Sequence, residues 1–99
     1  MMMMLRAHFN VEAANLTINE GSAGPVIDKA FAVAKPEAVY FIADKGQRGV
    51  VAFFDLVSTD QMPAISEPLF QAFGATVEFL PVMTPADLVK GLQAYAASR

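Results

Sequence analysis

The chain has a single histidine, His8, and it stands in a segment that alternates apolar and polar residues, Leu5-Arg6-Ala7-His8-Phe9-Asn10-Val11. On a strand, Leu5, Ala7, Phe9 and Val11 share one face, and Arg6, His8 and Asn10 share the other. If the apolar set meets the core, the imidazole lies on the opposite face beside a guanidinium. Glu78 lies in a second strand-like run and can face His8 from the neighbouring strand. A carboxylate beside an imidazole raises the imidazole's pKa and orients the ring, which is general-base chemistry. Tyr40 adds a hydroxyl and Phe53 an apolar wall, so Arg6, His8, Asn10, Tyr40, Phe53 and Glu78 form the candidate pocket, with His8 and Glu78 the candidate acid–base pair. The plainer account is that Arg6, His8 and Glu78 satisfy one another in a dimer interface.

Other chemistries are disfavoured by composition. One histidine, no cysteine and carboxylates on separate elements provide no ligand spacing for a metal, and no cofactor is expected. The absence of cysteine removes disulfides and thiol catalysis and fits a reducing cytoplasm. Net charge is −3, which argues against a nucleic-acid partner. Arg48-Gly49-Val50-Val51-Ala52-Phe53-Phe54 opens like one strand of an RNA-recognition motif, but Val50 stands where that module needs an aromatic. An acylphosphatase-like site would need a phosphate-cradling loop after the first strand, and no glycine-rich loop follows. No apolar run approaches the ~18 residues of a membrane span, and Met1 to Arg6 does not read as a secretory signal, because its basic residue follows the apolar run. The four consecutive methionines fit either an ambiguous start or flexible gap-fillers at an interface.

Strand and helix periods then position these residues within one domain, residues 1–99. After the first strand, residues 12–35 read as an interrupted helix: one piece ends at Gly21, and Gly24-Pro25 starts a second that closes at Lys35-Pro36. Ala38 to Ala43 and Arg48 to Val57 are strands joined by the turn Asp44-Lys45-Gly46-Gln47, with a bulge at Gly46 as the alternative register. Residues 58–74 form a helix capped by Thr59 or Asp60 and closed by Gly74, and Pro68 should kink or split it. Ala75 to Met83 is the fourth strand. Thr84-Pro85-Ala86-Asp87 is a capping-box start for a last helix with Leu88, Val89, Leu92, Tyr95 and Ala96 on its apolar face. The order β-α-β-β-α-β-α predicts an α+β, ferredoxin-like split βαβ sandwich with a C-terminal helix and strand order 4-1-3-2. The expected core is Phe9, Phe31, Phe54, Leu69, Phe73, Val77 and Leu92.

Apolar residues make up 55% of the chain and charged residues only 17%, against about 25% charged in an average protein. The second and third strands are apolar on both phases: Val39, Phe41, Val50, Ala52 and Phe54 on one, Tyr40, Ile42, Val51 and Phe53 on the other. A sheet with one face in water should alternate cleanly. The arithmetic therefore predicts a homodimer in which two open faces enclose a barrel, with an apolar half from the second and third strands and a polar half from the first and fourth. Such a cavity suits a small apolar or aromatic ligand.

Lys35-Pro36-Glu37-Ala38-Val39-Tyr40-Phe41, Phe54-Asp55-Leu56, Ile65-Ser66-Glu67-Pro68-Leu69-Phe70, Val77 to Met83 and Asp87-Leu88 together resemble a small bacterial family with a domain of unknown function. More remotely, the topology is similar to the dimeric α+β barrel superfamily. That resemblance implies a homodimer and admits three roles: a binding protein, a cofactor-independent monooxygenase- or isomerase-like enzyme, or a structural module without catalysis.

Overall fold

The alternating segment begins earlier than its polar markers suggest. In the computed structural model, which describes all residues from Met1 to Arg99, β1 runs Met2–His8 and includes the methionine run. Met3 is buried together with Leu5, Ala7 and Phe9, so at least one of these methionines is core. The strand also ends earlier than expected. Asn10 adopts the N-cap of α1 (Val11–Asn19), and its side chain accepts from the Ala13 N–H at 2.9 Å. Capping satisfies a helix donor that would otherwise lack a partner. Asn10 is therefore a cap rather than a pocket residue, and Val11 is exposed rather than core-facing.

The remaining elements follow the sequence period: α2 (Ala23–Ala34), β2 (Ala38–Asp44), β3 (Gln47–Asp55), α3 (Gln61–Phe73), β4 (Thr76–Pro81) and α4 (Pro85–Ser98). Lys45 and Gly46 have φ of 54° and 75°. Two successive positive φ values make the two-residue hairpin turn whose twist matches the flanking strands. Asp44 pairs with Gln47 directly, so no bulge shifts the register. Lys35 leaves α2 at φ 49°, left-handed rather than extended, and its N–H still bonds Phe31 O. Pro68 does not split α3, which stays continuous through it. The N-terminus of α3 follows Asp60, whose side chain makes no capping bond. Gln61 instead accepts from the Val57 and Ser58 N–H groups.

The four strands form one antiparallel sheet in the order β2-β3-β1-β4. Read from the other edge, this is the expected 4-1-3-2, consistent with the ferredoxin-like type. Val50, Ala52 and Phe54 of β3 join the β1 set against Ala30 and Ala34 of α2 and Ile65, Leu69 and Phe73 of α3. Phe9 and Phe73 stack with ring centroids 4.4 Å apart. Phe31 and Val77 are half-buried rather than buried. Leu92 departs from the expected core altogether: it is 56% exposed, because α4 buries none of its residues. Phe41 shares the phase of the core yet is 60% exposed, since β2 is an edge strand that the helix layer leaves uncovered.

The core makes a direct prediction. Phe54 is 1% exposed, and truncating a buried phenylalanine removes both its transfer free energy and the packing around the hole. Phe54→Ala should lower unfolding free energy by about 3–5 kcal/mol in urea titration. A loss below ~1 kcal/mol would place the β3 phase on the wrong face.

Candidate functional site: the polar end of the open sheet face

Strand register assigns the open face row by row, since directly paired residues point the same way. One row is Ala38, Phe53, Met4 and Leu80; the next is Tyr40, Val51, Arg6 and Glu78; the third is Ile42, Gly49, His8 and Thr76. The division between apolar and polar therefore runs along the strands. The expected division, with β2 and β3 apolar and β1 and β4 polar, is replaced by an apolar end at Met4 and Phe53, edged beyond Met2 by the exposed Met1 ammonium–Asp55 ion pair, and a polar end beside the β2–β3 turn. The reason is that β1 and β4 each carry both characters: β1 has Met2 and Met4 before Arg6 and His8, and β4 has Thr76 and Glu78 before Leu80.

The polar end holds an open cavity of about 300 Å³ lined by Arg6, His8, Asp44, Lys45, Gln47, Thr76 and Glu78, with no apolar side chain among them. Two charge pairs build it. Arg6 donates from Nε to Glu78 Oε1 at 3.3 Å and from Nη2 to Oε2 at 3.1 Å. This is the two-pronged fit of a planar guanidinium to a carboxylate. His8 Nε2 lies 2.7 Å from Asp44 Oδ2. The expected partner of His8 was Glu78. Glu78 sits one residue further along β4, directly opposite Arg6, and is taken by it. Asp44 reaches His8 from two strands away.

Gly49 makes that reach possible. It lies between His8 and Ile42 in the same row, so no side chain stands between β1 and β2 at this level. A Cβ there would come within 2.7 Å of Ala7 O and 3.2 Å of Ile42 Cγ1. The first contact is too close for any other residue without a shift of backbone, and the second asks the Ile42 side chain to give, so packing favours glycine here.

The electrostatics follow from these pairs. The hydrogen bond from His8 holds the Asp44 carboxyl below its ordinary range, with partial burial opposing. The hydrogen bond and charge of Arg6 do the same for Glu78, and Glu78 in turn raises Arg6. An ionised carboxylate only accepts, so the proton in the His8–Asp44 bond is on Nε2. A neutral His8 then has its lone pair on Nδ1, and Nδ1 makes no hydrogen bond within the chain. A held, oriented imidazole with a free basic nitrogen is able to take a proton or accept a hydroxyl.

Of the six expected pocket residues, Arg6, His8 and Glu78 come together. Tyr40 and Phe53 lie on the same face but outside this cavity, and Asn10 is the α1 cap. Asp44, Lys45, Gln47 and Thr76 were not anticipated. The signal for Asp44 was present: with a two-residue turn, Asp44 keeps the phase of Tyr40 and Ile42. Two further concavities lie on the helix side: an apolar one of about 290 Å³ where Phe9, Ile27, Phe41 and Phe73 meet, and a groove of about 590 Å³ between α2 and α3 whose lining includes Lys29, Glu67 and Gln71 beside apolar residues. No group of three or more potential ligand side chains is placed to hold a metal ion, and no helix is long and apolar enough to cross a membrane.

No protein-family model matches the chain, and no curated protein matches it in sequence.

Two measurements test the site. Asp44 and Glu78 are both held below their unfolded values, so the unfolded chain binds more protons in acid. Their stabilisation is present above the ordinary carboxylate range and is lost as pH falls through about 4 toward the lower folded values. Urea midpoints taken between about pH 2 and 7 should show this acid limb, shallower in Asp44→Asn and in Glu78→Gln. An unchanged limb in both variants would mean that neither pair forms. Separately, imidazole ¹⁵N shifts of the single histidine should report the Nε2–H tautomer. Asp44→Asn should disturb it and Glu78→Gln should not; the reverse pattern would restore the His8–Glu78 pair.

Proposed function

We propose that the protein is a homodimer that binds a small, mainly apolar or aromatic molecule bearing a hydroxyl or acidic group, held between the open sheet faces. The observation that carries this reading is the end-to-end polarity of the open face. An aromatic body would lie on Val51 and Ile42, and its polar group would meet His8 and Arg6. No helix of the chain covers the apolar rows beyond them, and burying those rows in a second copy removes water from the surface beside the ligand. The dimer has the character of the α+β barrel that the strand pattern suggested. The His8–Asp44 arrangement specifically favours one second reading: proton removal from such a ligand without a cofactor, as in isomerase- or monooxygenase-like chemistry, with His8 Nδ1 as the base and Asp44 fixing the ring. Neither reading calls for a metal or nucleic acid.

The test uses sedimentation and the histidine signal together. At micromolar concentration the chain should sediment at about twice 10.6 kDa. Titration with 1-naphthol, an aromatic hydroxyl probe, should shift the His8 imidazole resonances saturably. Val51→Glu, which puts a charge on the aromatic platform, should abolish that shift. A monomer, or a dimer whose His8 signal is indifferent to aromatic hydroxyl and carboxylate probes, would overturn the binding reading.

A further inference from the structure

The C-terminal helix lacks what normally keeps a helix folded. α4 has 14 residues and none is buried. A helix of that length is marginal in water unless its apolar face packs. Its N-terminus is well made: Thr84 Oγ1 accepts from the Asp87 N–H at 3.1 Å, and the Asp87 carboxylate accepts from the Thr84 N–H at 3.1 Å. Beyond that cap, Leu88, Leu92 and Tyr95 recur at helical spacing, flanked by Val89, while Asp87, Lys90 and Gln93 lie on the other side. Gly91 borders the apolar stripe. Glycine inside a helix costs about 1 kcal/mol relative to alanine, and nothing in the chain lies within 4 Å of where its Cβ would be. Its own fold therefore supplies no reason for it, whereas a surface approaching from outside would.

Shape and area give the size of the missing contact. The molecule measures 57 × 28 × 18 Å with a radius of gyration of 16.2 Å. A compact chain of this length has a radius near 12.6 Å, or about 13 Å for 100 residues. The accessible surface is 6418 Å², where a folded monomer of 10.6 kDa exposes about 5,500 Å². The excess of about 900 Å² matches the ~800 Å² that each partner contributes to a stable interface.

α4 does not pack on its own sheet, since none of its residues is buried. Val82 N–H still bonds Met2 O at the sheet edge. Only Met83 and Thr84 remain to set the helix direction, and Thr84 is held extended at ψ 163° by the capping box. The same chain carries a surface of matching character that no helix covers, the apolar end of the open face, where Tyr40 is exposed and Met4, Phe53 and Leu80 are half-buried. Two uncovered surfaces on one chain that fit each other close in a two-fold pair, because each copy gives and receives the same contact.

We infer that α4 is an exchanged arm: it lays the Leu88, Leu92 and Tyr95 stripe on the apolar end of the open face of a second copy. This rests on the dimer reading above and names the element that closes the apolar end, leaving the His8 end free for ligand. Leu88 and Leu92 are the anchors, Gly91 permits close approach, and Lys90 and Gln93 stay in water.

The chain has no cysteine, so introduced thiols report position without interference. Oxidising a mixture of Leu92→Cys and Tyr40→Cys single variants should give a disulfide-linked pair at twice the chain mass. In the Leu92→Cys, Tyr40→Cys double variant, a disulfide closed within one chain at monomer mass would overturn the exchange. In sedimentation, the Leu88→Asp, Leu92→Asp double variant should weaken self-association at least 100-fold while the sheet and helix amide spectrum is retained. If that variant remains as dimeric as the wild type, the arm proposal fails and the dimer reading stands. If the wild type is itself a monomer, both fail.

Discussion

Everything in this molecule hangs on the two-residue alternation of β1. Its inward set, Met3, Leu5 and Ala7, is buried against α2 and α3, and Phe9 continues the set to stack on Phe73. Its outward set, Met2, Met4, Arg6 and His8, passes from apolar to charged along a single strand. A slip of one residue would send Arg6 and His8 into the core and put Leu5 in water. The stacked Phe9 and the cap at Asn10 fix that register from one end. The long ladder with β3 fixes it along the length, because Val50, Ala52 and Phe54 must fall on the buried side at the same time.

The site is a by-product of the same ladder. Arg6 meets Glu78 because the two are paired residues of adjacent strands, and the geometry of the sheet sets their side chains close. Both are about half exposed, and exposed pairs contribute little to stability. Their role is better described as placing charge. By occupying each other they leave His8 to Asp44, and they line one wall of a cavity with groups that keep their water. The His8–Asp44 bond is more selective. It exists only because Gly49 removes the intervening side chain and because the hairpin turn takes two residues, which keeps Asp44 on the open face. One glycine and one turn length thus determine which carboxylate orients the imidazole.

Much of the architecture was legible in the sequence. Period-two alternation marks β1 from Leu5 onward, short apolar runs bounded by turn residues mark the other three strands, Gly21 and Gly74 mark helix ends, and Thr84-Pro85-Ala86-Asp87 marks a cap that the structure reproduces bond for bond. Less was legible where two local rules competed. Asn10 fits the outward phase of a strand and the N-cap of a helix equally well; capping won because Val11 to Asn19 needed a start. Met1 to Met4 carry no alternation in residue type, so the run hides a strand whose two faces differ only by what covers them. Leu92 has the spacing of a core residue, and periodicity does not say whether the core it faces belongs to its own chain. The partner of His8 is hidden for a different reason: strand alternation points to residues of the neighbouring strands, and Asp44 is two strands away across a glycine.

The low charge content is explained by where the charges lie. On the open face the Arg6–Glu78 and His8–Asp44 pairs are gathered at the His8 end and the Met1 ammonium–Asp55 pair stands at the opposite edge, leaving Met4, Phe53 and Leu80 with nothing polar between them. On α4, Asp87 and Lys90 lie on the side away from Leu88 and Leu92, and the Arg99 guanidinium at its end sits over the Tyr95 ring. Evenly scattered charges would have made both surfaces soluble as they stand and left neither with a preferred partner. Segregation does the opposite. It confines the gain from excluding water to one end of the sheet and one side of the helix, and holds the hydrated pairs clear of that contact. In the proposed dimer, association would use the dry rows at Met4, Phe53 and Leu80, and ligand recognition the charged groups that remain reachable beside His8.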